Sequence, residues 1–215
     1  MSATPEQLAK LRRQLAEKFP AAPRAAARAL PTGLAAIDDA AGGLPLGAVT
    51  EFVGAAPSCG SHLLLQQLLA TTRATRTRVA LVDAADSFDP ASFPCDLLMH
   101  LLWIRCTSST ALAATDLLVR DANLGLVVLD LRRDAGAELS RTPATTWYRL
   151  QRAVGPTDLA LVVFTPCISV PSAQMRFVLD AAHPAESFDT ERAALASALT
   201  PALQRQRLLA HAAVA

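Results

Sequence analysis

The chain has 215 residues, a formal net charge of +1 and 52% hydrophobic residues, with alanine supplying much of that fraction. Its length suits one domain whose core is large enough to fold without disulfides or metals, and its near-neutral charge argues against a dedicated, strongly basic nucleic-acid binder. No apolar run approaches the ~20 residues that span a bilayer, and the opening Met1-Ser2-Ala3-Thr4-Pro5-Glu6 lacks a signal-peptide apolar stretch, so a cytoplasmic protein of bacterial type with no membrane contact is expected.

The first element is a helix. Thr4 can cap it, Pro5 suits the first helical position and Gln7 can close a capping box. Leu8, Leu11, Leu15 and Phe19 recur at helical spacing, and Pro20 and Pro23 end the run. Lys10, Arg12, Arg13 and Lys18 lie elsewhere around this helix; with Arg24 and Arg28 they outnumber Glu6 and Glu17, so basicity is concentrated at this end. Two readings of the apolar stripe stand side by side: a partner-binding surface, or a face packed on the helix's own domain. The segment reads as an arm and connector over residues 1–30, attached to a core over 31–189.

Within the core, short apolar runs alternate with helical stretches. Strands are expected over 49–53, 79–83, 101–106, 126–130 and 159–164, with a further short one over 176–179. Helices fit 61–72, 110–121 and 144–154. Continuous apolar strands separated by helices imply a parallel sheet covered on both faces, an α/β fold. Helices over 190–199 and 200–213 complete the chain, the second restarted by Thr200-Pro201.

The strand at Val49–Val53 runs into Gly54-Ala55-Ala56-Pro57-Ser58-Cys59-Gly60-Ser61-His62 and then a helix. A phosphate-binding loop occupies such a junction when it reads G-x-x-x-x-G-K-[ST], its lysine reaching the β and γ phosphates and its hydroxyl holding magnesium. Here Gly54 and Gly60 are one residue too far apart. Counting from Ala55 restores the spacing without the first glycine and puts Ser61 at the lysine and His62 at the hydroxyl. The stretch is either the relic of such a loop or a plain strand–turn–helix junction.

The surrounding motifs bear on that choice. Pro31-Thr32-Gly33-Leu34-Ala35-Ala36-Ile37-Asp38, then Gly42-Gly43-Leu44-Pro45-Leu46-Gly47, resembles the lead-in to the phosphate loop of RecA recombinases. Asp83-Ala84-Ala85-Asp86-Ser87-Phe88-Asp89-Pro90 resembles their D-A-E-x-x-x-D-P segment, and Leu126–Asp130 their apolar strand ending in an acid. The resemblance implies a RecA-like core with a mostly parallel central sheet, and covers about residues 30–179. It also implies losses. The catalytic glutamate falls on Ala85, the phosphate-loop lysine on Ser61, and the γ-phosphate sensor near Pro166; Asp130 remains. Phosphoryl transfer depends on positioning and charge stabilisation, so the expectation is a degenerate ATPase core that is not an enzyme and needs no cofactor.

The loops that contact single-stranded DNA in that family are reduced. The first corresponds to residues 131–143, where Arg132, Arg133 and Arg141 are offset by Asp134 and Glu138; it reads as residual phosphate contact or, preferably, as a solvated charged loop. The second shrinks to residues 167–172 without a basic residue. DNA binding is therefore expected to be weak or indirect, with Lys10, Arg12, Arg13 and Lys18 contributing most of it. Trp103 and Trp147 suit the core or its edge better than base stacking. The four cysteines form no C-x-x-C and no cluster with histidine, so no metal site is expected.

A degenerate RecA-like chain of this length with a helical arm looks like the ImuA family. These are RecA-like accessory proteins of bacterial translesion synthesis and the SOS response. That resemblance implies a protein adaptor whose partners are a RecA-type recombinase and an ImuB-type protein with its error-prone polymerase, the arm being the candidate contact. A SulA-like cell-division inhibitor, also RecA-like without a phosphate loop, is the alternative resemblance.

Overall fold

The computed structural model describes residues 28–54, 56–133 and 136–207. The helix expected over the first 19 residues lies outside this set, and with it Leu8, Leu11, Leu15, Phe19, Lys10, Arg12, Arg13 and Lys18.

The described chain begins with a short antiparallel ribbon, β1 (Ala29–Leu30) against β2 (Leu44–Pro45), which brackets helix α1 (Ala35–Ala41). Leu30 is buried in the core, so the end of the segment read as connector belongs structurally to the domain. The lead-in motif has a local reason. Asp38 accepts hydrogen bonds from the Thr32 and Gly33 amides, each at 2.9 Å, and from the Thr32 hydroxyl at 2.8 Å. Gly33 has φ +77°, and a Cβ there would come within 2.5 Å of Gln67 Nε2. Only glycine lets this turn lie flat on the next helix.

The main sheet follows. Strands β3 (Ala48–Gly54), β4 (Val79–Asp83), β5 (Leu101–Arg105), β6 (Leu126–Asp130), β7 (Ala160–Thr165) and β8 (Met175–Leu179) are parallel, and β9 (Ala202–Gln206) is added antiparallel. Their order is β5-β4-β6-β7-β3-β8-β9. Side chains alternate between two cores. Val128 joins the cluster under α1 and the long helix α2 (Ser61–Ala74). Val127 and Leu129 join the one under α4 (Ser108–Leu118) and α6 (Ala144–Val154). Short helices α3 (Cys95–Leu98), α5 (Gly136–Arg141) and α7 (Arg192–Ser197) lie in the connections. The fold is thus α/β with a RecA-like, mostly parallel sheet covered on both faces.

Two element ends shift for identifiable reasons. Helix α4 starts at Ser108, two residues early, because Thr107 and Thr110 form a capping box. It stops at Leu118, and Asp121 instead accepts from the Asn123 amide at 2.8 Å. One expectation is corrected outright: residues 202–206, read as part of a second C-terminal helix, form β9. The open side of β8 offers a row of unpaired backbone groups, and pairing there overrides the modest helical preference of Leu203, Gln204 and Arg205. Pro201 fits just as well before a strand as at a helix start.

Candidate functional site

The carboxyl ends of β3, β6 and β7 face a cleft of about 1180 Å³, lined by the β3–α2 junction, by Arg132 and Arg133 after β6, and by residues 183–195. Such a position at the ends of parallel strands is where α/β sheets bind ligands. Of the residues singled out in the sequence, Gly54, Gly60, Ser61 and His62 line it. Gly60 takes φ +82° at the start of α2, and a Cβ would meet Leu199 Cδ2 at 2.4 Å. The segment beyond β8 therefore closes directly over this turn; His183 donates its backbone N–H to the Ser58 carbonyl at 3.0 Å.

Arg132 organises the inner end of the cleft. Its Nε donates to Asp130 Oδ1 at 2.8 Å, its Nη2 donates to Asp130 Oδ2, and its Nη1 donates to the Ser61 hydroxyl at 2.7 Å. The guanidinium lies 5.1 Å from the Phe164 ring centroid and 3.4 Å from both His62 ring nitrogens. Its side chain is 11% exposed and that of Asp130 only 2%. Arg132 thus departs from the solvated-charge reading of its loop: its guanidinium is paired and largely buried. A cation from the β6 end spans the space between the strand acid and Ser61, the residue aligned with the phosphate-loop lysine. Burial and the Arg132 charge hold His62 below the usual histidine range, so its imidazole is neutral at pH 7.

The other acids of the resemblance are also committed. Asp83 is fully buried at the end of β4. It accepts from the Ser87 amide at 3.0 Å, the Phe88 amide at 2.9 Å, the Ala85 amide at 3.3 Å and the Trp103 indole at 3.3 Å. Burial alone pushes its carboxyl up, but these donors outweigh burial and hold it below the usual carboxylate range. Asp89 caps the turn Pro90–Ser92, accepting from the Ala91 amide at 3.0 Å. Phe88 then packs on Phe93 and Trp103 at centroid distances of 4.8 and 5.3 Å. Ala85 is exposed and does not line the cleft. Asp86, beside it, turns to the edge of the sheet and faces Arg105 at 3.8 Å.

Arg133 is exposed on the cleft wall, whereas Arg141, exposed in the last turn of α5, does not line it. Trp147 is buried and Trp103 half-buried, as their sequence contexts indicate.

Sequence reasoning missed a second ionic centre beneath residues 167–172. Glu51 on β3 is fully buried and accepts from Arg176 Nε at 2.6 Å, the Thr165 hydroxyl at 3.0 Å, the Ser169 amide at 2.7 Å and the Val170 amide at 3.0 Å. Arg176 also donates to the Val170 carbonyl at 3.0 Å. A carboxylate and a guanidinium inside otherwise apolar strands were the available signal. Among the described residues, no group of histidine, cysteine and acidic side chains could hold a metal ion, and no helix is long and apolar enough to cross a membrane.

No protein-family model matches this chain, and no curated protein matches it.

Proposed function

We propose that this chain is a non-catalytic RecA-like accessory protein of the bacterial SOS response and translesion synthesis. It acts in the cytoplasm through protein–protein contacts rather than by turning over nucleotide. One observation carries the non-catalytic part: the Arg132 guanidinium is seated between Asp130 and Ser61. A magnesium ion held by Asp130 and a triphosphate on this loop would both have to displace a paired, largely buried cation. Ala85, where the water-activating glutamate aligns, is an alkyl group on the surface. Among the described residues, no lysine, glutamate or glutamine lines the cleft to take the phosphate-loop, water-activating or sensor role.

The adaptor part rests on the ImuA resemblance. Its partners are a RecA-type recombinase and an ImuB-type protein, and the apolar stripe Leu8, Leu11, Leu15 and Phe19 is the proposed contact. A pull-down offering a RecA-type recombinase, an ImuB-type protein and the division protein FtsZ tests this directly. Retention of the recombinase or the ImuB-type protein is expected, and the double substitution Leu11→Asp with Leu15→Asp should abolish recombinase binding while circular dichroism stays unchanged. Retention of FtsZ alone would replace this reading with the SulA-like one. Magnesium-dependent ATP turnover that Asp130→Ala removes would falsify the non-catalytic part.

A further inference from the structure

The outer half of the cleft carries charges that the Arg132–Asp130 pair does not neutralise. Arg133 stands exposed on one wall. Arg192, the first residue of α7, stands on the other. Its Nη1 donates to the Ser92 carbonyl at 3.0 Å and its guanidinium lies 5.6 Å from the Phe93 ring centroid, which holds it in place. Its Nε is buried with no hydrogen-bond acceptor among the described residues. A buried N–H of a charged group without an acceptor is costly and uncommon. Among the described residues, no carboxylate lines the cleft. Asp130 is taken by Arg132 and Asp89 by the turn it caps; Glu186, Asp189 and Glu191, on the segment that carries Arg192, are exposed but do not line the cleft.

The rest of the lining is mixed: neutral polar side chains such as Ser58, Ser87 and Thr190 alternate with an apolar, stiff set of Pro57, Pro166, Pro184 and Leu195. The geometry points to this cleft as a docking groove for an acidic, partly apolar peptide segment of a partner protein, with Arg133 and Arg192 receiving its carboxylates. Charge complementarity selects that occupant. A guanidinium also binds phosphate, but a polyphosphate would leave Pro57, Pro166, Pro184 and Leu195 uncovered, whereas a peptide carries apolar side chains for them. Single carboxylates need no metal, and a guanidinium receives them in a bidentate fork. Apolar side chains of the same peptide would lie against the prolines and Leu195. This rests on the adaptor reading above, but the groove is tested with variants at residues other than those of the N-terminal stripe, so the two can fail independently.

Fluorescence anisotropy on the full chain tests it, with a short labelled peptide alternating glutamate and leucine and its lysine counterpart. The glutamate peptide should bind without magnesium and weaken with salt, and the lysine peptide should not bind. Arg133→Glu touches an exposed side chain and should weaken binding about fivefold, and adding Arg192→Glu should bring the loss to tenfold or more. Unchanged affinity in Arg133→Glu overturns the proposal, as does equal binding of the lysine peptide. Displacement of the glutamate peptide by equimolar pyrophosphate also overturns it, in favour of a phosphate site. Peptide binding without recombinase or ImuB-type retention would keep the groove and discard those partners; retention with no peptide binding would do the reverse.

Discussion

Two arginine–carboxylate pairs fasten two loops to the sheet, and they do so in different surroundings. Arg176 and Glu51 lie under residues 167–172, where Glu51 is fully buried and accepts from two backbone amides of that loop. Arg132 and Asp130 lie on the floor of an open cleft, with Arg132 bridging to Ser61 on another element. The side chains are almost equally buried, 10% and 0% exposed for Arg176 and Glu51 against 11% and 2% for Arg132 and Asp130; the first pair is covered by its own loop, whereas Arg132 lines the cleft. The loops that the RecA resemblance equates with DNA-binding loops are thus both rooted by internal ion pairs. The contrast between a loop-covered pair and a cleft-lining pair sets the size of each expected effect.

The largest effect belongs to Glu51. Removing one partner of a buried pair leaves an uncompensated charge and typically costs ~3–5 kcal/mol. Glu51→Ala strips Arg176 of its partner and frees the Ser169 and Val170 amides, so a loss in this range is expected from urea denaturation, with faster amide exchange over residues 167–172. A cost below ~1 kcal/mol would mean that water reaches Arg176 and that the loop does not cover the pair.

Arg132→Ala should cost less, about 2–3 kcal/mol, because cleft water can solvate the Asp130 carboxylate left behind. Faster amide exchange in the backbone just after β6 should accompany it. If the two variants cost the same, the distinction between the sites fails and the cleft floor is as dry as the sheet interior.

How much of this could be read in the sequence depends on whether the interaction is local. Val79–Asp83, Leu126–Asp130 and Ala144–Val154 were legible to the residue, since apolar runs and helical spacing are properties of adjacent residues. Ser61 and His62 open a helix as expected, because a strand–turn–helix junction is also local. The partners of Asp130 and Glu51 were not. Arg132 is only two residues from Asp130, yet its role depends on Ser61, 71 residues away in the chain. Arg176 is 125 residues from Glu51. Strand β9 escaped for the same reason: residues 202–206 have no strong strand preference, and the vacant side of β8 decides their conformation.

Asp83 sharpens the comparison from a third side, because it is a buried carboxylate held by neutral donors, four N–H groups and the Ser87 hydroxyl, with no cation in ion-pair contact. Its carboxyl sits below the usual range in the folded chain, so the folded state favours the ionised form more than the unfolded state does. The stability it contributes is fully present above the unfolded value, about 3.9, and is lost as pH falls through the lower folded value. Asp83→Asn keeps one acceptor oxygen but removes the charge, and should cost about 1–2 kcal/mol at pH 7. It should also make the variant less sensitive than the parent as pH drops below about 4. Urea midpoints measured for both proteins from pH 6 down to the acid limit would show the curves converging. Parallel curves would mean that Asp83 is held no more tightly folded than unfolded, and its donors would then serve only to shape the turn before Phe88. A cost at pH 7 equal to that of Glu51→Ala would mean that neutral donors alone stabilise a buried carboxylate as well as a guanidinium does, and the contrast between the pairs would reduce to burial alone.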